Sequence, residues 1–243
     1  SPKLHNYWIS KNNIAAFYDK KKIDISELKN LIKDVREKKI DGINVTVPFK
    51  KKIIPYLDLL SPEAKITQSV NTIYLDKDKI VGHNTDIQGF ELSIKKTRFD
   101  TNNKEALVLG AGGVAPSIIF ALNKMKVSKI TLTNRTREKA ENLKDIFKNL
   151  TIIDWGKIIN FDIIINTTSL GLNKNETYLR CITNLQNITF NETNCVFQDL
   201  NCLFIILKEP QQNPEPQQNP EPLPKPEPPT KPSLPLSQGL LAS

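Results

Sequence analysis

The strongest constraint in this sequence is an alternation that opens near residue 104 and runs to residue 168. EALVLG reads as a strand, GGVAPSIIFALNKM as a helix, SKITLTN as a strand and REKAENLKDIFKNL as a helix. TIIDW follows as a short strand and FDIIINTT at 161–168 as a buried one. Strands rich in β-branched residues, separated by helices of this length, form βαβ units and hence a parallel sheet with right-handed crossovers.

The first strand-to-helix junction carries Gly110, Gly112 and Ala115, a G-x-G-x-x-A pattern. Glycine at 110 permits a tight turn, Gly112 lets backbone approach a pyrophosphate, and Ala115 allows close helix-to-strand packing. The free N–H groups of the new helix are expected to point at the phosphates. The flanking strand and helix supply the context that such a pattern needs before it means a dinucleotide site. A tight turn without ligand is the bland alternative.

Cofactor choice is read after the next strand. An acidic residue there grips the ribose 2′-hydroxyl of NAD. This chain offers Asn134, Arg135 and Thr136 instead, with Lys139 one turn later. A carboxylate repels a 2′-phosphate, whereas a guanidinium binds it through two charge-assisted bonds. The pattern therefore favours NADP, with a surface arginine as the bland reading of Arg135.

Residues before 86 have a different character. IAAFY at 14–18 is a strand-like run, and ISELKNLIKDVREKK has apolar residues at helical spacing behind Asp24 as a cap. GINVTVPF at 42–49 reads as a strand that Pro48 ends. Ser61 caps a helix with Pro62 in its first turn. VNTIYLDKDKIVGHNTD reads as a hairpin about DKDK, followed by an amphipathic helix from Asp86 to about Lys96. A boundary near residue 85 gives an α/β chain with an N-terminal domain at 1–85 and a Rossmann-like domain at 86–205. A Pro-rich, disordered tail at 206–243 completes it.

Lys50 and Asp86 both stand at element boundaries, where ligands bind in folds of this class. A ketone reduced by hydride needs a proton as the alkoxide forms, and a lysine ammonium can stabilise that charge and donate. Burial and a neighbouring carboxylate tune such a lysine. On residues alone, Lys50 is equally an ordinary surface lysine in KKK, and Asp86 an ordinary helix cap.

NVTVPFK at 44–50, SVNT at 69–72, GHNTDIQG at 82–89, VLGAGGVA at 108–115, NRTREKA at 134–140 and NTTSLG at 166–171 stand in this order. Their order and spacing resemble those of the shikimate dehydrogenases, and SPKLHN at 1–6 is similar to that family's N-terminal serine motif. The resemblance covers residues 1 to about 172. It implies NADPH-dependent reduction of 3-dehydroshikimate to shikimate, in the biosynthesis of aromatic amino acids. Lys50 would handle the proton, and Asp86 would hold Lys50 and a substrate hydroxyl. It further implies that Ser1, Asn44, Thr46, Asn71 and Thr85 contact the substrate. The cofactor would lie on Gly110, Ala111, Gly112, Gly113, Val114 and Ala115, on Asn134, Arg135, Thr136 and Lys139, and on Thr168 and Ser169. No metal is implied. His5 and His83 are expected to be structural. Monomer or homodimer is the expected state.

The resemblance also implies segments that this sequence does not match. The family has a first strand and a further clamp serine ahead of Ser1, and after Gly171 a Y-D-x-x-Y-x-P segment and a glutamine-bearing helix. VFQDLNC at 196–202 is the nearest counterpart of that segment. Of the 16 prolines, 11 lie between Pro210 and Pro235, and such sequence builds no core. A fragment joined to unrelated sequence, with an exposed sheet edge and low stability, is the expectation. Three other readings stay open: a quinate/shikimate dehydrogenase of broader specificity, an inactive NADP-binding relic, and an interaction protein using P-x-x-P motifs of the tail.

Composition narrows the partners. The formal charge of +8 comes from basic residues spread along the chain, which fits a solvated surface better than a nucleic-acid site. Cys181, Cys195 and Cys202 are an odd count without CxxC, against a disulfide framework or zinc site. With no signal-like segment or long apolar run, a cytoplasmic protein without membrane contact is expected.

Overall fold

Two sheets organise the chain, and the computed structural model describes residues 2–157 and 159–168 together with two backbone strands at 195–198 and 203–207. The first sheet has four strands, β1 (Gly42–Asn44), β2 (Leu59–Leu60), β3 (Thr72–Asp76) and β4 (Lys79–His83), in the order β1-β3-β4-β2. The hairpin β3–β4 forms as the sequence predicts, with Asp76 opposite Lys79. Lys77 and Asp78 both take positive φ in its two-residue turn, the geometry that matches strand twist. Helix α1 (Pro2–Lys11), helix α2 (Leu28–Arg36) and helix α3 (Pro62–Thr67) accompany this sheet. Leu28, Ile32 and Val35 of α2 pack on Ile73 and Ile80 of the hairpin. Ser61 caps α3 by accepting the Ala64 N–H at 3.2 Å, and the backbone N–H of Asp24 donates to Glu27 ahead of α2.

The second sheet contains β5 (Glu105–Leu109), β6 (Lys129–Thr133), β7 (Leu150–Ile153), β8 (Ile163–Asn166), β9 (Cys195–Gln198) and β10 (Leu203–Leu207), in the order β7-β6-β5-β8-β10-β9. The first four run parallel, as the alternation predicts. Helix α4 (Asp86–Lys96), helix α5 (Ala115–Lys124) and helix α6 (Arg137–Ile146) belong to this part of the chain. Strands β5, β6 and β8 are buried on both faces. Val108, Ile163 and Ile165 join the core under Phe90, Ile118 and Leu122, while Leu107, Leu109 and Ile164 form a smaller cluster with Phe161. Each such side chain contributes about 1.5–3 kcal/mol by leaving water. Because β6 lies on one side of β5 and β8 on the other, the order reverses at the carboxyl end of β5. A ligand crevice is expected there.

Several expectations are corrected. IAAFY at 14–18 is not a strand: Phe17 is 80% exposed. The Asn6 carboxamide pairs with both backbone groups of Tyr18, at 2.8 Å each, in place of a neighbouring strand. The strand from 42 stops at Asn44 rather than at Pro48, because the chain turns, with Phe49 N–H donating to Thr46 O at 2.8 Å. A helix that the sequence did not announce opens at Pro2. Helix α5 begins at Ala115, three residues later than read, and α6 ends at Ile146. Strands also stand beyond the alternation read to residue 168, and the second of them runs two residues into the tail read from 206. The apolar run LFIIL forms β10, which pairs antiparallel with β8 and with β9. The P-x-x-P motifs lie outside the described residues. Among the described residues no helix is long and apolar enough to cross a membrane.

Candidate active site

Register gathers the site of the first sheet. Asn44 stands opposite Thr72, and Thr72 opposite His83, so the ends of β1 and β4 and the start of β3 stand in one row. Asn71 directly precedes β3, Asn84, Thr85 and Asp86 follow β4, and the turn after Asn44 brings Lys50 round to them. That turn is tied to the row by Val45 N–H to Asn71 O at 2.8 Å and by Val70 N–H to Lys50 O at 2.9 Å. Lys50 therefore rides on a braced turn, not on the end of a strand.

Lys50 Nζ lies 2.6 Å from Asp86 Oδ2, with the side chains only 12% and 5% exposed. Asp86 Oδ1 accepts the Asn71 carboxamide at 2.8 Å. Thr85, not Asp86, is the residue that precedes the first turn of α4. This carboxylate is thus spent on the lysine and on Asn71, and the ordinary-cap reading does not describe it. A buried ion pair of this kind adds little net stability but holds a charged pair in one geometry.

Asn71 is the organiser of the row. Its amide nitrogen also donates to Thr85 Oγ1 at 3.0 Å, and its Oδ1 accepts Thr85 N–H at 2.9 Å. Asn44 approaches the same region, 3.4 Å from Thr72 Oγ1, while Thr46 is exposed on the turn that carries Lys50. Ser1 and Ser169 lie outside the described residues. His83 Nδ1 sits 3.0 Å from Ser61 Oγ. His5 stacks on Tyr18 with ring centroids 4.1 Å apart, and burial pushes its imidazole below the usual range. Among the described residues no cluster of His, Cys, Asp and Glu is built to hold a metal.

The glycine loop occupies the reversal point of the second sheet. Gly110 has φ +97°, and a Cβ there would lie 2.6 Å from Thr168 Cγ2. A Cβ on Gly112 would lie 3.1 Å from Thr167 O. At Gly110 the left-handed backbone and close packing favour glycine alone, while at Gly112 a Cβ would press on Thr167 O. Thr167 staples the loop to β8 by donating to Gly110 O at 2.6 Å, and Asn134 fixes it from β6 by accepting Ala111 N–H at 3.0 Å.

The first turn of α5 offers fewer free N–H groups than expected. Ala115 N–H is used by Gly112 O, Ser117 N–H by Val114 O, and Pro116 has none. In this loop, no hydrogen bond among the described residues takes up the N–H groups of Gly112, Gly113 and Val114. The loop, rather than the first turn of α5, presents the donors. Arg135 and Lys139 are exposed after β6, with no side-chain partner among the described residues. The adjacent Arg137 is instead engaged by Glu141 and Asp154. Thr136 accepts from Asn134 Nδ2 at 2.6 Å, and Thr168 Oγ1 donates to Asn166 Oδ1 at 2.7 Å.

The two halves of the site touch. Ser69 Oγ donates to Gly113 O at 3.3 Å, and a Cβ on Gly113 would come 4.0 Å from Val47 on the turn that bears Lys50. Sequence reasoning missed Asn84, Ser117 and Thr167. The available signal was polar residues set among apolar ones, Ser117 within APSIIFAL above all.

Comparison with known proteins agrees with this architecture. A family model for the shikimate dehydrogenase substrate binding domain matches residues 1–73, and one for shikimate / quinate 5-dehydrogenase matches residues 91–177. The chain is 57% identical over 176 residues to the NADP(+) shikimate dehydrogenase of Pelagibacter ubique, covering 72% of this chain and 66% of that protein. The corresponding enzyme of Clostridium botulinum is 36% identical, covering 70% of this chain and 67% of its own length. The crystal structure of shikimate dehydrogenase from Aquifex aeolicus superimposes with a TM-score of 0.68 at 38% identity, covering 73% of this chain and 67% of that one. The enzyme from Thermus thermophilus, solved in complex with NADP(H) and shikimate, gives 0.65 at 30% identity, covering 70% and 64%. The chain spans 66%, 64% and 62% of three of its curated relatives, about two thirds of their length. With both sheets, the glycine loop and the paired lysine and aspartate accounted for, this chain belongs to the shikimate dehydrogenase family.

Proposed function

We propose that the chain catalyses NADP-dependent interconversion of 3-dehydroshikimate and shikimate. The observation that carries this reading is the Lys50–Asp86 pair, 2.6 Å apart and nearly buried, beside a loop of unpaired amides. The residues fit the cofactor. Gly110 and Gly112 leave room that any Cβ would fill, the amides of 112–114 suit a pyrophosphate, and exposed Arg135 and Lys139 suit a 2′-phosphate. When bound, the cofactor exchanges a hydride with the substrate carbon.

Lys50 Nζ holds the proton that the substrate oxygen takes up as the ketone becomes an alcohol, and receives it in the reverse direction. Asp86 Oδ2 fixes that ammonium, and Asn71 keeps the carboxylate from rotating away. Asn44, Thr46, Asn71 and Thr85 border the space over the pair and suit the substrate's hydroxyls and carboxylate, a set to which Ser1 belongs by family resemblance. Residues 1–85 form the substrate domain and residues 86–205 the cofactor domain in this reading. The two-residue β2, parallel to β4, and the α4 helix entering the second core support a boundary near Asp86. We place the protein in the cytoplasm as a monomer or homodimer acting on small molecules, a reading supported by its odd cysteine count and dispersed lysines.

The reading is tested by shikimate-dependent reduction of NADP⁺ by the purified chain, with NAD⁺ and quinate as comparison substrates. Turnover with shikimate and NADP⁺ supports it. Binding of NADP⁺ without turnover supports an inactive relic instead. Comparable turnover with quinate favours the broader specificity that one matching family description names.

A further inference from the structure

Asn84 lies two residues before Asp86 and is 2% exposed. Its carboxamide is engaged on both ends. Oδ1 accepts the Asp86 backbone N–H at 3.0 Å. Nδ2 faces Ser117 Oγ at 2.8 Å, Ser69 O at 3.0 Å and Thr67 Oγ1 at 3.2 Å. The amide orientation is fixed from two sides, since a backbone N–H can only donate and the Ser69 carbonyl can only accept.

Those four partners come from three places. Asp86 opens α4. Thr67 ends α3, where its Oγ1 donates to Glu63 O at 2.7 Å, and Ser69 lies just beyond, before β3. Ser117 lies in α5, the helix that follows the glycine loop, and is fully buried among Ile118 and Ile119. One side chain therefore joins the base of the lysine–aspartate pair to the helix behind the phosphate donors. For stability alone, an apolar filling of this volume would do nearly as well, because a neutral buried hydrogen bond contributes only about 0.5–1.5 kcal/mol net. What a satisfied polar cluster supplies is a single geometry.

We propose that Asn84 is a positioning residue for the reaction proposed above, on which this inference rests. It locks the start of α4 to α5, and so sets where Asp86 and Lys50 stand relative to the bound dinucleotide. Asn84 touches no reacting atom and acts through Asp86. Misplacement of a catalytic group by ~1 Å costs on the order of 100-fold in rate, so a loosened lock is expected to appear in kcat.

The test uses the full chain with Ser117→Ala, Asn84→Ala and the double variant. Ser117→Ala removes one buried oxygen and leaves every group of the substrate and cofactor sites in place. The expected result is a fall in kcat of about 10-fold or more for Ser117→Ala, with both KM values and NADP⁺ affinity within about threefold. The double variant should be no worse than Asn84→Ala, because both changes break the same link. Unchanged kcat per folded molecule, with only the melting temperature lowered, overturns the proposal in favour of a structural role. If Asn84→Ala does not fold, Ser117→Ala decides alone. A second readout is independent of turnover: the NMR resonance of the Lys50 ammonium, protected from solvent exchange by Asp86. It should be visible in the wild type and lost in Ser117→Ala. A resonance absent from the wild type or unchanged in the variant overturns the lock. Wild-type protein that shows this resonance but no shikimate-dependent turnover defeats the functional reading while leaving the positioning standing.

Discussion

The lysine–aspartate site and the glycine loop both sit at strand ends, yet they are built in opposite ways. The first is a mesh of side chains: Asn71 ties Thr85 and Asp86 together, and Asp86 holds Lys50. The second is bare backbone, kept bare because any Cβ at Gly110 would strike Thr168. The difference fits the proposed function. A proton must reside on one defined atom, which only a positioned side chain offers. A pyrophosphate spreads its charge over several oxygens, which a curved run of N–H groups matches without any side chain. Damage to the first should therefore appear in rate, and damage to the second in affinity.

Lys50→Ala is the harshest break. Loss of a positioned acid should lower kcat by about 10²–10⁴-fold, with NADP⁺ affinity by titration nearly unchanged; a matching loss of affinity would erase the contrast. Gly110→Ala should do the reverse. Left-handed strain of about 1–3 kcal/mol plus the clash with Thr168 should weaken NADP⁺ binding by about 100-fold, while shikimate binding, measured separately, persists. Arg135→Ala sharpens the picture within the loop region. Removing a charge-assisted contact to the 2′-phosphate should weaken NADP⁺ by about 10-fold and leave NAD⁺ unaffected. Equal effects on both nucleotides would move the phosphate contact elsewhere.

The smallest effect lies away from both sites. Asp58 accepts the Ile80 N–H at 2.7 Å and pairs with Arg36 at 2.9 Å. The Ile80 N–H chiefly, and Arg36 with it, hold its carboxyl below the usual range. Its folded pKa is lower than its unfolded one, so the stability it contributes is present above the unfolded value and fades as pH falls through the folded one. Urea midpoints measured between neutral and strongly acidic pH should fall less for Asp58→Asn than for the wild type. Parallel curves would remove Asp58 from this account.

The same contrast explains what could be read in advance. The glycine loop was legible from residues alone, because a strand, three small residues and a helix leave few physical alternatives. Strands β5, β6 and β8 were legible for the same reason, since their apolar runs are buried on both faces. Lys50 and Asp86 were not: apart from family resemblance, each was an ordinary lysine and an ordinary cap. Their pairing depends on the register that sets Asn44, Thr72 and His83 in one row, and on a turn at 45–49 that the β-branched run NVTV disguised as strand. Tyr18 misled similarly, because Asn6, twelve residues away, takes the place of a strand partner. The donors at Gly112–Val114 could not be foreseen without knowing that α5 starts at Ala115. LFIIL at 203–207 was short enough to pass unnoticed beside the prolines, yet β8 has room for one more strand.

A crystal structure of the chain with NADP⁺ and shikimate bound tests the central claim most directly. The account predicts Lys50 Nζ within hydrogen-bonding distance of the substrate oxygen that loses its proton, still paired with Asp86, and the pyrophosphate on the amides of Gly112–Val114. A lysine turned out into solvent, with the dinucleotide bound far from the turn that carries it, would contradict the account.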